Sequence, residues 1–98
     1  MSSFRFGSHL PVLMKVMSIT DGAVLELGSG LYSTVYLHWA CYDKKRKLVT
    51  LESKPEYFSK MKNLRSDYHE MRLIDDWAKA DLSGDWSVVL VDQSPGKR

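Results

Sequence analysis

Two stretches of the chain carry residue types whose spacing suits ligand chemistry. The first is Glu26-Leu27-Gly28-Ser29-Gly30. Where a strand leads into such a pair of glycines and a helix leads out, the backbone turns sharply and comes close to a ligand. The free N–H groups at the helix start then face an anionic or polar group with the positive end of the dipole. The second is Glu52, 24 positions beyond Gly28. An acid about 20 residues after the turn, at the end of the neighbouring parallel strand, accepts hydrogen bonds from the two ribose hydroxyls of a nucleoside. Each also has a plainer reading. A G-x-G pair serves simple turns, and Glu52, just ahead of Ser53, favours the start of the next helix.

The surrounding elements have to place these groups together. Ser8 as N-cap, Pro11 in the first turn and Leu10, Leu13, Met14 and Met17 at helical spacing predict an amphipathic helix over 8–19. Ala23 to Leu27 reads as a short apolar strand running into the glycines, and Tyr32, Val35, Tyr36, Trp39 and Ala40 carry a helix to about Cys41. Leu48 to Glu52 is a second strand. Ser53 and Glu56 have capping-box spacing around Pro55, ahead of a helix buried through Tyr57, Phe58, Met61 and Leu64. His69 to Ile74 is predicted as an exposed third strand, ending in Asp75-Asp76-Trp77. After a turn or short helix over 78–85, the continuous apolar run from Trp86 to Asp92 predicts a strand buried on both faces.

This alternation predicts one α/β domain over 1–98: a Rossmann-like, doubly wound parallel sheet of about four strands, order 3-2-1-4, with helices on both faces. The ligand crevice of that class lies at the carboxyl ends of the strands, where every residue singled out above falls.

Val24 to Gly30, Leu48 to Glu52, Asp75-Asp76-Trp77 and Val88 to Asp92 resemble the successive cofactor motifs of class I S-adenosylmethionine-dependent methyltransferases, over residues 23 to 92. The acid two positions before the first glycine, and Ser33 where a third glycine would stand, separate the pattern from a nicotinamide-binding fingerprint. The resemblance implies that Glu26, Gly28 and Gly30, with Ser29 in the same turn, hold the methionine end of S-adenosylmethionine. It implies that Glu52 binds the ribose, that Asp75 or Asp76 accepts from the adenine amino group, and that Trp77 packs on the adenine. Asp92 would face the sulfonium or the substrate and is the one candidate for a catalytic role. Gln93-Ser94-Pro95-Gly96 lacks the adjacent prolines and the aromatic of the amino-methylating tetrapeptide, so base methylation is not supported. A complete member of the family resembles a seven-stranded sheet, so the expectation is a domain truncated after the fourth strand. Otherwise its fourth-strand edge would be covered by a second chain or a second copy. The resulting expectation is transfer of a methyl group to an unknown acceptor, with activity of so short a chain in question. The alternative is a non-catalytic nucleotide-binding or interaction module of the same fold.

The rest of the sequence narrows the field. With 14 Lys plus Arg against 12 Asp plus Glu, the formal charge is +2, too small to imply a nucleic-acid groove by itself. The run Lys44 to Lys47 reads as a solvated turn, and Tyr36, Trp39 and Tyr42 as packing of the preceding helix rather than a stacking platform. The lone Cys41 rules out an internal disulfide and a CxxC pair, which predicts no metal site, a reducing cytoplasmic setting and a packed thiol. No apolar run approaches the roughly 20 residues of a membrane span. His9, His38 and His69 are scattered and read as structural or solvated.

Overall fold

The computed structural model describes residues 6–30 and 32–91. Chain order is α1 (Phe6–Ser18), β1 (Ala23–Leu27), α2 (Ser33–Lys44), β2 (Leu48–Glu52), α3 (Pro55–Met61), β3 (His69–Leu73), a single 3-10 turn (Trp77–Lys79) and β4 (Trp86–Val91). The strands form one open, parallel, Rossmann-like sheet in the order β3-β2-β1-β4. That is the order the alternation predicts. Asp92 and Gln93 to Gly96 lie outside the described residues.

Alternation along the strands divides the core in two. Val24, Leu48 and Val88 face α1 and α2, packing with Leu13, Met17, Leu37 and Cys41. Leu25, Leu27, Val49 and Leu51 point the other way, where Ile74, Trp77, Ala80 and Trp86 cover them. α-Helices thus back one face, and the 3-10 turn with its flanking segment backs the other. The register shifts on β4 between the partners of Ala23 and Val24, which pair with Trp86 and Val88. Ser87 is the extra residue, so Trp86 and Val88 pack on opposite faces although they are two apart.

Four expectations change. The continuous apolar run of β4 does not mark burial on both faces. β4 is a sheet edge, with Val89 51% and Val91 58% exposed, because a parallel strand is covered only where a neighbour and a crossover lie over it. α1 begins at Phe6, so Ser8 is helical rather than a cap and Pro11 lies inside the helix; its fixed φ is itself helical. Ser53 makes no capping box: the N-cap of α3 is Lys54, without a side-chain bond, and Ser53 Oγ accepts from Trp77 Nε1 instead. Trp39 and Tyr42 are exposed rather than packed, their rings meeting edge to face in a row with Tyr68.

The basic run also divides. Lys44, Lys45 and Lys47 are exposed, whereas Arg46 is buried. Its guanidinium donates to the carbonyls of Gly22 (2.8 Å) and Met17 (3.2 Å) and to Thr20 Oγ1 (3.0 Å), tying the end of α1 to the start of β1. No helix among the described residues is long and apolar enough to cross a membrane.

Candidate functional site

Gly28 follows β1 with φ of 93°, a conformation open chiefly to glycine. Its N–H donates to the Leu51 carbonyl at 2.8 Å, which carries the β1–β2 pairing into the turn. The parallel register Leu27↔Leu51 then sets Glu52 level with the glycines. The next N–H, that of Ser29, donates to Glu52 Oε1 at 2.7 Å, and Ser29 Oγ donates to the same oxygen at 2.6 Å. Glu52 Oε2 accepts from the N–H groups of Ser53 (3.0 Å) and Lys54 (3.1 Å). The carboxylate therefore joins the glycine turn to the start of α3, which is the helix-start reading of Glu52.

The third motif reaches the same corner. The Ile74 N–H donates to the Glu52 carbonyl at 2.9 Å, and Trp77 Nε1 donates to Ser53 Oγ at 3.1 Å. The segment Asp75–Trp77 is thereby stitched beside the end of β2. Asp76 Oδ1 accepts from the Ala78 N–H and caps the 3-10 turn, while Asp75 is exposed with no such duty. Trp77 is half-buried against Leu25, Leu27, Val49 and Leu51. Gly28, Ser29, Glu52, Asp75, Asp76 and Trp77 are thus neighbours at the carboxyl edge.

Glu26 is placed differently. It is fully buried, beneath the first turn of α2. Its carboxylate accepts from Ser33 Oγ (2.9 Å), Thr34 Oγ1 (2.9 and 3.0 Å) and Thr50 Oγ1 (2.9 Å). A buried carboxylate persists only with such donors, and the helix dipole adds to them. Thr34 Oγ1 also accepts from the Gly30 N–H at 2.8 Å. Glu26 therefore shapes the glycine turn from below through Thr34.

The sequence reading passed over Ser33, Thr34 and Thr50. Two adjacent hydroxyls directly after a G-x-G pair, at a helix start, are the signal for the first two. Of the histidines, read as scattered and as structural or solvated, two come together inside the fold. His38 on α2 and His69 on β3 are both buried, with Nδ1 atoms 2.9 Å apart, and His69 Nε2 lies 2.9 Å from Thr50 Oγ1. Burial first, then His38, pushes the His69 imidazole down to about 4, against a smaller upward pull from the Leu64 carbonyl. Burial likewise pushes the Cys41 thiol up to about 11, in keeping with a packed, unreactive side chain. Among the described residues no group of three or more His, Cys, Asp and Glu is arranged to hold a metal ion.

No family model, no curated protein and no solved structure matches this chain. The functional reading rests on the corner itself.

Proposed function

We propose that the chain is an S-adenosylmethionine-binding, methyltransferase-like domain whose cofactor site is the carboxyl-edge corner around Glu52. The observation that carries the reading is the meeting of motifs from three strands around Glu52: the glycine turn after β1 bonds its buried carboxylate, and the segment after β3 bonds its main-chain carbonyl through the Ile74 N–H and the neighbouring Ser53 hydroxyl through Trp77. The donor set fits an adenosine: Glu52 for the ribose diol, with Asp75 free on the surface and Trp77 alongside for the base. Ser29 Oγ and N–H, now on Glu52 Oε1, occupy the place a diol would take. When bound, S-adenosylmethionine supplies an activated methyl group, so the protein's task is to hold and align it for a methyl acceptor. Glu26 would act on the methionine end through the glycine turn, since its own carboxylate is enclosed.

The second reading, a nucleotide-binding or interaction module without catalysis, is favoured by the way Ser29, Ser53 and Lys54 already satisfy Glu52. Under it, a second chain or copy would lie along the β4 edge.

Calorimetric titration with S-adenosylhomocysteine, with adenosine and NADH in parallel, tests the choice. We expect saturable adenosylhomocysteine binding, weaker by tenfold or more in Glu52→Gln, about 1.4 kcal/mol or more. Absence of binding by folded protein would overturn the cofactor reading, and preference for NADH would point to a nicotinamide site.

A further inference from the structure

The amino edge of the sheet, opposite the Glu52 corner, carries aromatic and basic side chains that the fold leaves outside. Trp39 and Tyr42 lie one turn apart on α2 and are 57% and 51% exposed. The Tyr42 ring meets Trp39 at 6.1 Å between centroids and Tyr68, on the segment leading into β3, at 6.0 Å, both edge to face. From inside, the buried His38 ring stands edge to face against Trp39 at 4.8 Å. The row is thus anchored from below while two of its rings reach solvent. Core packing does not account for it, since Leu37 and Cys41 fill the core side of the same helix. Large apolar rings that are gathered outside, rather than scattered singly, mark a contact site.

Cations surround the row. α2 ends at this edge on Lys44 and Lys45, both exposed, while Arg46 turns inward. Lys45 holds its ammonium on a left-handed backbone, φ 57°, that glycine adopts more freely. α3 returns to the same edge and brings exposed Lys62 and Arg65 to the approach to Tyr68. Lys47 is committed elsewhere, its ammonium over the Trp86 ring. Asp43 and Asp67 are the acids of the two stretches 42–45 and 62–68, so four cations face two acids there. That excess of two equals the formal excess of the entire chain, and it sits about the rings.

We propose that this amino-edge face binds single-stranded nucleic acid, with bases stacked on Trp39 and Tyr42 and phosphates met by Lys44 and Lys45. Every base has a π-face and every nucleotide an anion, so exposed rings flanked by ammonium groups match the repeating chemistry of a single strand. A duplex hides its base faces from such rings. A second copy of the chain, laid on the same face, would set like lysines against each other across the two-fold axis. A formal charge of +2 speaks against an extended electrostatic groove, whereas a contact with a few phosphates needs only the cations gathered here. The expectation that Trp39 and Tyr42 are packed removed the stacking partners, and their exposure restores them.

Fluorescence anisotropy of a labelled oligothymidylate of about 12 nucleotides, titrated with the full chain, tests the assignment. No adenosyl ligand is present, so the outcome does not depend on the Glu52 corner. Binding should be saturable at about 50 mM salt and weaker by roughly tenfold or more at about 200 mM, as counterion release from about three phosphates requires. Trp39→Ala, a change at an exposed ring, should weaken it by roughly fivefold or more, and Trp39→Phe should recover most of the loss. Lys44→Glu combined with Lys45→Glu should weaken binding and flatten its salt dependence. Heparin, an anion without bases, should bind Trp39→Ala as well as the native chain. Absence of saturable binding by folded protein at low salt would overturn the proposal. So would oligothymidylate binding that Trp39→Ala leaves untouched, which would reduce the face to a diffuse patch of charge. Self-association lost in Trp39→Ala, without oligonucleotide binding, would overturn it too and assign the rings to a second copy.

Discussion

Four N–H and O–H groups converge on the Glu52 carboxylate, so a ribose diol gains access to it only by taking over the bonds now made by Ser29. Arg46 is the other residue whose value lies in what it satisfies. Its guanidinium serves two backbone carbonyls and the Thr20 hydroxyl from a buried position. Arg46→Ala is expected to cost about 3 kcal/mol, since buried carbonyls are left unpaired. Lys44→Ala, two residues away and exposed, should stay within about 0.5 kcal/mol. Urea denaturation of both variants measures the contrast, and equal effects would show that the guanidinium contributes only as one more surface cation. At this scale the sequence is legible where a residue acts on its chain neighbours and opaque where it acts across the fold. The glycines and Glu52 could be read because strand ends register with one another in a parallel sheet. Arg46 could not be told from its lysine neighbours, because its partners at Gly22 and Met17 are 24 and 29 positions away. His38 and His69, 31 positions apart, meet only through the pairing of β2 with β3.

The elements show the same division. β1 and β2 lie where apolar runs and turn residues predict them, and β3 ends one residue short of the predicted Ile74. β4 has the predicted start but the wrong surroundings: an apolar run reports affinity for a sheet, and its coverage depends on neighbours that lie elsewhere in the chain. α2 runs three residues past Cys41 because its end is set by a cap that pattern alone does not reveal. The Arg46 N–H bonds the Cys41 carbonyl and the Lys45 N–H the Tyr42 carbonyl, with Lys45 at φ 57°, the two bonds of a Schellman ending. A lysine there bears a left-handed backbone that glycine adopts freely. Lys45→Gly should therefore stabilise the fold by about 1 kcal/mol, seen as a higher midpoint in thermal denaturation. A lower midpoint would mean that the Lys45 side chain holds the turn.

For the molecule as a whole, the buried His69 makes stability a function of pH. Its unfolded value is the ordinary 6.5 and its folded value about 4. Above pH 6.5 both states carry the neutral ring and its contribution is complete. Between 6.5 and 4 the unfolded chain takes up a proton that the folded chain refuses, so stability falls, by on the order of 3 kcal/mol once pH 4 is passed. Urea midpoints at pH 7.5 and 4.5 should show the drop, and His69→Gln should reduce it; an undiminished drop would place the acid sensitivity among the carboxylates. The two edges of the sheet differ in the same economy of contacts. At the amino edge Arg46 binds fixed carbonyls, while at the carboxyl edge the N–H and hydroxyl of Ser29 hold Glu52, and a ligand proposed for that corner would have to displace them. The Trp77 indole, bonded through Nε1 to Ser53 Oγ next to Glu52, sits at that corner, whereas Trp86 bonds the Leu82 carbonyl and Trp39 lies out on α2. The chain thus carries its own optical gauge: a ligand entering the corner would shift the emission of one tryptophan of three and leave the other two as an internal reference.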